Sequence, residues 1–125
     1  MILLLDAHAL LWWLDDRPTL VASARATIAD PANDVLVSAA TVWELGIKRA
    51  LGKLHVTADV RGAIDRAGFS GLPITLEDAK SAAELPLHHR DPFDRMLVAQ
   101  AQRLDAVIVS CDRAFAAYGV PILQA

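Results

Sequence analysis

The chain has 125 residues, enough for one compact domain with a real core and too few for a second. A hydrophobic fraction of 54% and a mean hydropathy of +0.34 exclude a disordered chain. The net charge of −3 and pI near 5.7 exclude a broad basic surface for non-specific nucleic-acid binding, so a polyanionic substrate would need a metal ion or a few local Arg and Lys residues.

Ile2 to Leu5 is a short apolar run that predicts a strand buried on both faces, and Asp6 ends it. The run lacks the basic start of a signal peptide, and no apolar stretch could span a bilayer, which together predict a cytoplasmic protein. Ala7 to Leu14 reads as a helix with His8 on its flank, closed by Asp15-Asp16-Arg17-Pro18. A second helix is predicted from Thr19 to about Ala29, with Leu20, Ala24 and Ile28 on one face. The turn residues Asp30 to Asp34 lead into a β-branched strand, Val35 to Val37. Ser38 or Ala39 opens a helix to about Leu51 that Gly52 stops. Ala58 to Ala67 predicts another helix ended by Gly68, Phe69 to Gly71 a linker, and Leu72 to Ile74 a strand. Leu76 to Leu85 is helical, and Pro86 to Arg90 forms a loop carrying His88 and His89.

Asp91 suits an N-cap and Pro92 the first helical position, so a helix opens there, with Phe93, Leu97, Ala101 and Leu104 on its apolar face. Ala106 to Val109 predicts a strand, Arg113 to Tyr118 a short helix ended by Gly119, and Val120 to Leu123 an edge strand. Cys111 is the lone cysteine, read as a small buried hydrophobe at a strand end, with no disulfide or Cys-based metal site available to it. Strands alternating with helices predict an α/β domain with a parallel sheet, whose strand C-termini share one ligand-binding edge.

That topology gathers acids that lie far apart in the chain. Asp6 follows the first strand and Asp112 follows the strand Ala106 to Val109. Glu44 sits about a turn into the helix after the second strand, and Asp94 lies in the first turn of its own helix. Each has an ordinary reading: Asp6 and Asp112 as caps, Glu44 in a surface pair with Lys48, Asp94 answering the helix dipole. One shared metal site explains all four. A set of hard oxygen donors without Cys or patterned His favours Mg²⁺ or Mn²⁺ over Zn²⁺, and such an ion polarises a phosphate and activates water for in-line attack.

The run Leu3 to Trp13, the segment Ser38 to Ile47 with Val42-Trp43-Glu44, the stretch Arg90-Asp91-Pro92-Phe93-Asp94-Arg95-Met96-Leu97 and Ser110-Cys111-Asp112 together resemble a PIN-domain ribonuclease. The resemblance is to the VapC type, the toxin of bacterial toxin–antitoxin pairs, and it spans nearly the whole chain. It implies a single PIN domain over residues 1–125, a three-layer fold with a central parallel sheet of about five strands flanked by helices, and a Mg²⁺- or Mn²⁺-dependent endoribonuclease. Its acidic site falls on Asp6, Glu44, Asp94 and Asp112, with Asp6 and Asp94 the firmest metal ligands and Glu44 binding metal or positioning water. It also implies a homodimer and a cognate VapB-type antitoxin that blocks the acidic pocket. The family often carries Thr where Ser110 and Ala7 stand; Ser110 keeps the hydroxyl and Ala7 does not.

Other residues have plainer expectations. His88 and His89 read as exposed loop histidines rather than catalytic groups, and Arg95 leans towards a structural role. Lys48, Arg49 and Lys53 suit a helix C-terminus or a phosphate contact beside the site. Trp12, Trp13 and Trp43 read as core or interface residues. The rival enzyme class is another doubly wound phosphoryl-transfer protein, an aspartyl phosphatase or receiver domain, but Asp6-Ala7-His8 lacks the second acid and no Lys ends a strand. The rival outside catalysis is a PIN binding module.

Overall fold

The computed structural model describes residues 1–55 and 59–125. Its spine is a five-stranded, all-parallel sheet: β1 Ile2–Leu5, β2 Asp34–Ser38, β3 Ser70–Leu72, β4 Val107–Ser110 and β5 Ile122–Gln124, in the spatial order β3-β2-β1-β4-β5. The helices are α1 Ala7–Leu14, α2 Ala22–Ala29, α3 Ala39–Ala50, α4 Val60–Arg66, α5 Leu76–Glu84 and α6 Pro92–Leu104, with a 3-10 turn over Arg113–Tyr118 before β5.

β1 lies at the centre and is apolar on both faces, as its continuous Leu run predicts. Leu3 and Leu5 pack with α1, α2 and α4 through Leu10, Ala24, Ile28 and Ile64, while Leu4 packs with α6 and the 3-10 turn through Leu97, Val98 and Phe115. Leu3, Leu4 and Leu5 are fully buried, so the side-chain period of two feeds two separate cores and makes three layers. The expected α/β fold with helices on both faces of a parallel sheet is therefore present.

Several boundaries differ from expectation, each for a local reason. α2 starts at Ala22, because Leu20 N–H turns back to the Arg17 carbonyl (3.2 Å) and the Leu20 side chain enters the core. Residues 69–71 are not a linker: Phe69 is buried, and Ser70–Leu72 pairs with Leu36–Ser38 as the edge strand, ending where Pro73 has no N–H to offer. β4 begins one residue late because Asp105 adopts a left-handed conformation and Ala106 N–H returns to the Ala101 carbonyl (2.9 Å). β5 likewise waits until after Pro121. α4 runs Val60–Arg66 behind the cap Asp59, so the expected start at Ala58 lies outside the described residues. α3 ends as Gly52 requires: at φ +70 its N–H meets the Arg49 carbonyl, and Lys53 N–H meets the Lys48 carbonyl at 2.9 Å.

α5 and α6 form a hairpin fixed by a buried charge. Asp78, at 1% exposure, completes a capping box with Thr75 and receives Arg103 of α6 at 2.5 and 3.0 Å. The Arg103 guanidinium holds the Asp78 carboxyl below its ordinary range, against the effect of burial. A lowered carboxyl adds stability above its ordinary titration range and loses it as pH falls through the folded value. Arg103→Ala should therefore lower the melting temperature at neutral pH, with the deficit shrinking as the pH is taken well below 4. Thermal melts of both proteins across that pH range check this.

Candidate active site at the carboxyl edge of the sheet

The chain steps from β1 outward to β2 and β3, then crosses back to β4 on the other side of β1. The carboxyl ends of β1 and β4 thus flank the switch point where open parallel sheets bind ligands. Asp6 N–H continues the ladder to the Val109 carbonyl (3.1 Å), which sets Asp6 beside Ser110 at the top of β4. Asp6 caps α1 by accepting Ala9 N–H at 2.9 Å, and its second oxygen accepts the Ser110 hydroxyl, which in turn accepts Asp112 N–H (2.9 Å). Burial pushes the Asp6 carboxyl up, and the Ser110 and Ala9 bonds restrain that rise.

Glu44 reaches the same place from the second turn of α3. Its Lys48 partner is 2.6 Å away, but Glu44 is buried, so the expected surface pair is an inward one. The bond to Glu44 raises the Lys48 ammonium further above its usual range. Asp91 caps α6 through Phe93 N–H (2.8 Å) and Asp94 N–H (3.3 Å), which aims Asp94 into the edge. Asp94 is pushed up to about 7, first by burial and then by Asp91, with Glu44 and Asp6 adding to the rise and His89 opposing it. Asp6, Glu44, Asp94 and Asp112 all line one cleft of about 270 Å³, with Asp91, Lys48 and His89 among its other walls. The four acids expected to meet do meet.

His89 departs from expectation. Its side chain is 18% exposed, and its Nε2 lies 2.8 Å from Asp94 and 3.0 Å from Asp112. Asp91 N–H donates to its Nδ1 at 3.2 Å, so a neutral ring carries its proton on Nε2 and spans the two carboxylates. His89, Asp94 and Asp112 form a potential ligand set, with one donor atom of each within 4.8 Å of the others. Asp6 and Glu44 keep protein partners.

Arg95 explains how a loop residue is placed so firmly. Its buried guanidinium donates to the carbonyls of Ala82 (2.9 Å), Leu85 (2.8 Å), Pro86 (3.0 Å) and His89 (3.3 Å), gathering the end of α5 and the following loop. Tyr118 adds its hydroxyl, which accepts His89 N–H at 2.9 Å and donates to the Pro86 carbonyl at 2.7 Å. His88, by contrast, is exposed with its ring against Tyr118. No periodicity marks His89; the one sequence signal was its place two residues before the cap Asp91.

Cys111 also differs: it is exposed on the acid cleft, since it follows the last β4 residue rather than ending the strand, and burial of its sulfur and the nearby Asp6 hold the thiol up. Trp13 packs on Phe69 and Trp12 lies half-buried against the core, as expected, while Trp43 is 64% exposed and meets Phe93 edge-on.

The PIN domain model matches residues 3–121, and the chain belongs to the PIN domain family. Its fold is similar to a chain of the VapBC2 structure from Rickettsia felis bound to a promoter DNA fragment, at TM-score 0.70 and 15% identity, covering 99% of this chain and 98% of that one. It is also similar to a chain of VapBC-1 from nontypeable Haemophilus influenzae (TM-score 0.64, 18% identity, 99% and 98% coverage) and of FitAcB from Neisseria gonorrhoeae (0.63, 21%, 99% and 97%). A search of curated proteins finds no match. No helix among the described residues is long and apolar enough to cross a membrane.

The raised Asp94 carboxyl has a measurable consequence. Its folded state keeps a proton that the unfolded chain releases near its ordinary value of 3.8, so stability falls as pH climbs from there to about 7. In chelator, Asp94→Asn should melt higher than the unaltered protein at pH 8, and the gap should close below pH 4. Equal melting temperatures at pH 8 would show that Asp94 ionises without cost.

Proposed function

We propose that the chain is a divalent-metal-dependent endoribonuclease of the VapC type, the toxin of a toxin–antitoxin pair. The observation that carries this is the crowding of Asp6, Glu44, Asp94 and Asp112 into one cleft, with Asp94 pushed up to about 7. Carboxylates pressed together this way are stabilised by a hard divalent cation, and four carboxylates with one imidazole at their edge suit Mg²⁺ or Mn²⁺. Asp94 and Asp112 would hold it, with Asp6 and Glu44 completing the set. Bound there, the ion would supply Lewis-acid polarisation of a phosphodiester and lower the pKa of the attacking water.

The remaining roles belong to the protein's own groups. The Ser110 hydroxyl and Ala9 N–H fix both oxygens of Asp6, so its carboxylate is oriented before any substrate arrives. Among the described residues Glu44 is held by Lys48 through one oxygen, which leaves the other carboxylate oxygen to orient the attacking water. His89 sits between Asp94 and Asp112 with its Nε2 within hydrogen-bond reach of both and orients their carboxylates in the resting site.

The similarity to chains of VapBC and FitAcB structures supports a VapB-type antitoxin as partner. The exposed apolar residues Trp43, Leu76 and Leu87 supply surface for that partner and for a homodimer. The placement in the cytoplasm follows from the same reading.

Purified protein freed of partner should cut RNA in Mg²⁺ or Mn²⁺ and stop in EDTA. Losing one ligand forfeits several kcal/mol of transition-state stabilisation, so Asp94→Asn should slow cleavage by at least about a hundredfold. Mn²⁺ should also raise the melting temperature of the unaltered protein more than that of the variant. Metal-independent cleavage, or full activity in Asp94→Asn, would sink the assignment.

A further inference from the structure

A second cleft of about 270 Å³ adjoins the acidic one, and His8 lines both. α1 builds one wall: His8, Leu11, Trp12 and Asp15 stand at i, i+3, i+4 and i+7, a single stripe that runs from the capped end of the helix. The stripe extends about 10 Å from the acids. The turn after α1 adds Arg17. The facing wall carries Lys53 and His55, which the Gly52 turn at the end of α3 brings across. The basic cluster at that helix end is thereby divided: Lys48 serves Glu44, and Lys53 serves this cleft.

The chemistry of the second cleft is opposite to that of the first. Asp15 is its one acid, with Arg17 Nε at 3.7 Å, against Arg17 and Lys53 and two imidazoles. Trp12 lies half-buried with its back to the core and its ring 5.9 Å from His8, a rigid aromatic face beside cations. A polyanion crossing the acidic rim needs neutralisation next to it, and the net charge of −3 provides none globally. An aromatic face flanked by Arg and Lys is what binds unstacked bases and their phosphates.

We propose that this cleft seats the nucleotide next to the scissile phosphate, its base on Trp12 and its phosphate between Arg17 and Lys53. The substrate is single-stranded at that point, because a base lying on Trp12 has left any helix. This inference rests on the nuclease reading above.

The test uses Asp94→Asn protein, to prevent cleavage, and a fluorescent pool of random-sequence 20-nucleotide single-stranded RNA. Anisotropy is read in Mg²⁺ across a salt series. Adding Arg17→Ala with Lys53→Ala should weaken binding about tenfold and flatten the salt dependence by about one to two phosphate contacts. Adding Trp12→Ala should weaken it about tenfold with the salt slope unchanged. Should Trp12→Ala fail to fold, the surface pair carries the test alone. Mn²⁺ titration of Arg17→Ala/Lys53→Ala protein with Asp94 intact should match the unaltered protein, separating substrate binding from the acids. Unchanged RNA affinity in the variants, with the unaltered protein cutting RNA, overturns the subsite and leaves the nuclease reading intact. No RNA binding and no Mn²⁺ binding in any form overturns both.

Discussion

Repulsion among carboxylates that a parallel sheet gathers onto one rim is the constraint on which the rest of the structure depends. Asp6, Glu44, Asp91, Asp94 and Asp112 share a single small cleft, where water screens charge less than in bulk. The fold answers with four devices for the five acids. Ser110 and a backbone amide take Asp6, Lys48 takes Glu44, two backbone amides take Asp91, and one imidazole proton spans Asp94 and Asp112. These donors come from α1, α3, α6, β4 and the α5–α6 loop, so the site adds polar ties between elements that also meet in the core.

The same arrangement separates stability from reactivity. β1 contributes fully buried leucines to both cores and one acid just past its end, so the boundary between apolar interior and charged rim falls between Leu5 and Asp6. Asp78 and Arg103 show the contrasting case: one acid, one guanidinium, a lowered carboxyl and a rigid hairpin. At the rim, acids outnumber cations, and Asp94 rises instead. A protein that needed only stability would pair every acid as Asp78 is paired.

Much of this was legible in the residues. The apolar runs Ile2–Leu5 and Val35–Val37, the caps Asp6 and Asp91 and the stop at Gly52 are local signals, and all appear in the structure. Convergence of the four acids followed from parallel topology, because strand ends and helix starts share an edge. His89 was not legible: its position depends on a guanidinium six residues later and a tyrosine 29 residues later, and no spacing rule connects them. Ser70 and Gly71 read as linker, and the strand was expected at Leu72 to Ile74, because an edge strand needs little β-branching when its neighbour supplies the register. Cys111 misled because small apolar side chains at strand ends are commonly buried, whereas this strand ends one residue earlier.

Arg95 alters what kind of segment the α5–α6 connection is. Surface loops ordinarily absorb insertions and deletions over evolutionary time, because few contacts record their length. Here five carbonyls between Ala82 and His89 are measured against one guanidinium of fixed reach. An added residue would strand the donor or swing His89 off its acids, so this connection is constrained in length as a core strand is. Variation that retunes what the protein recognises has to enter elsewhere, through exposed side chains rather than through the length of this connection.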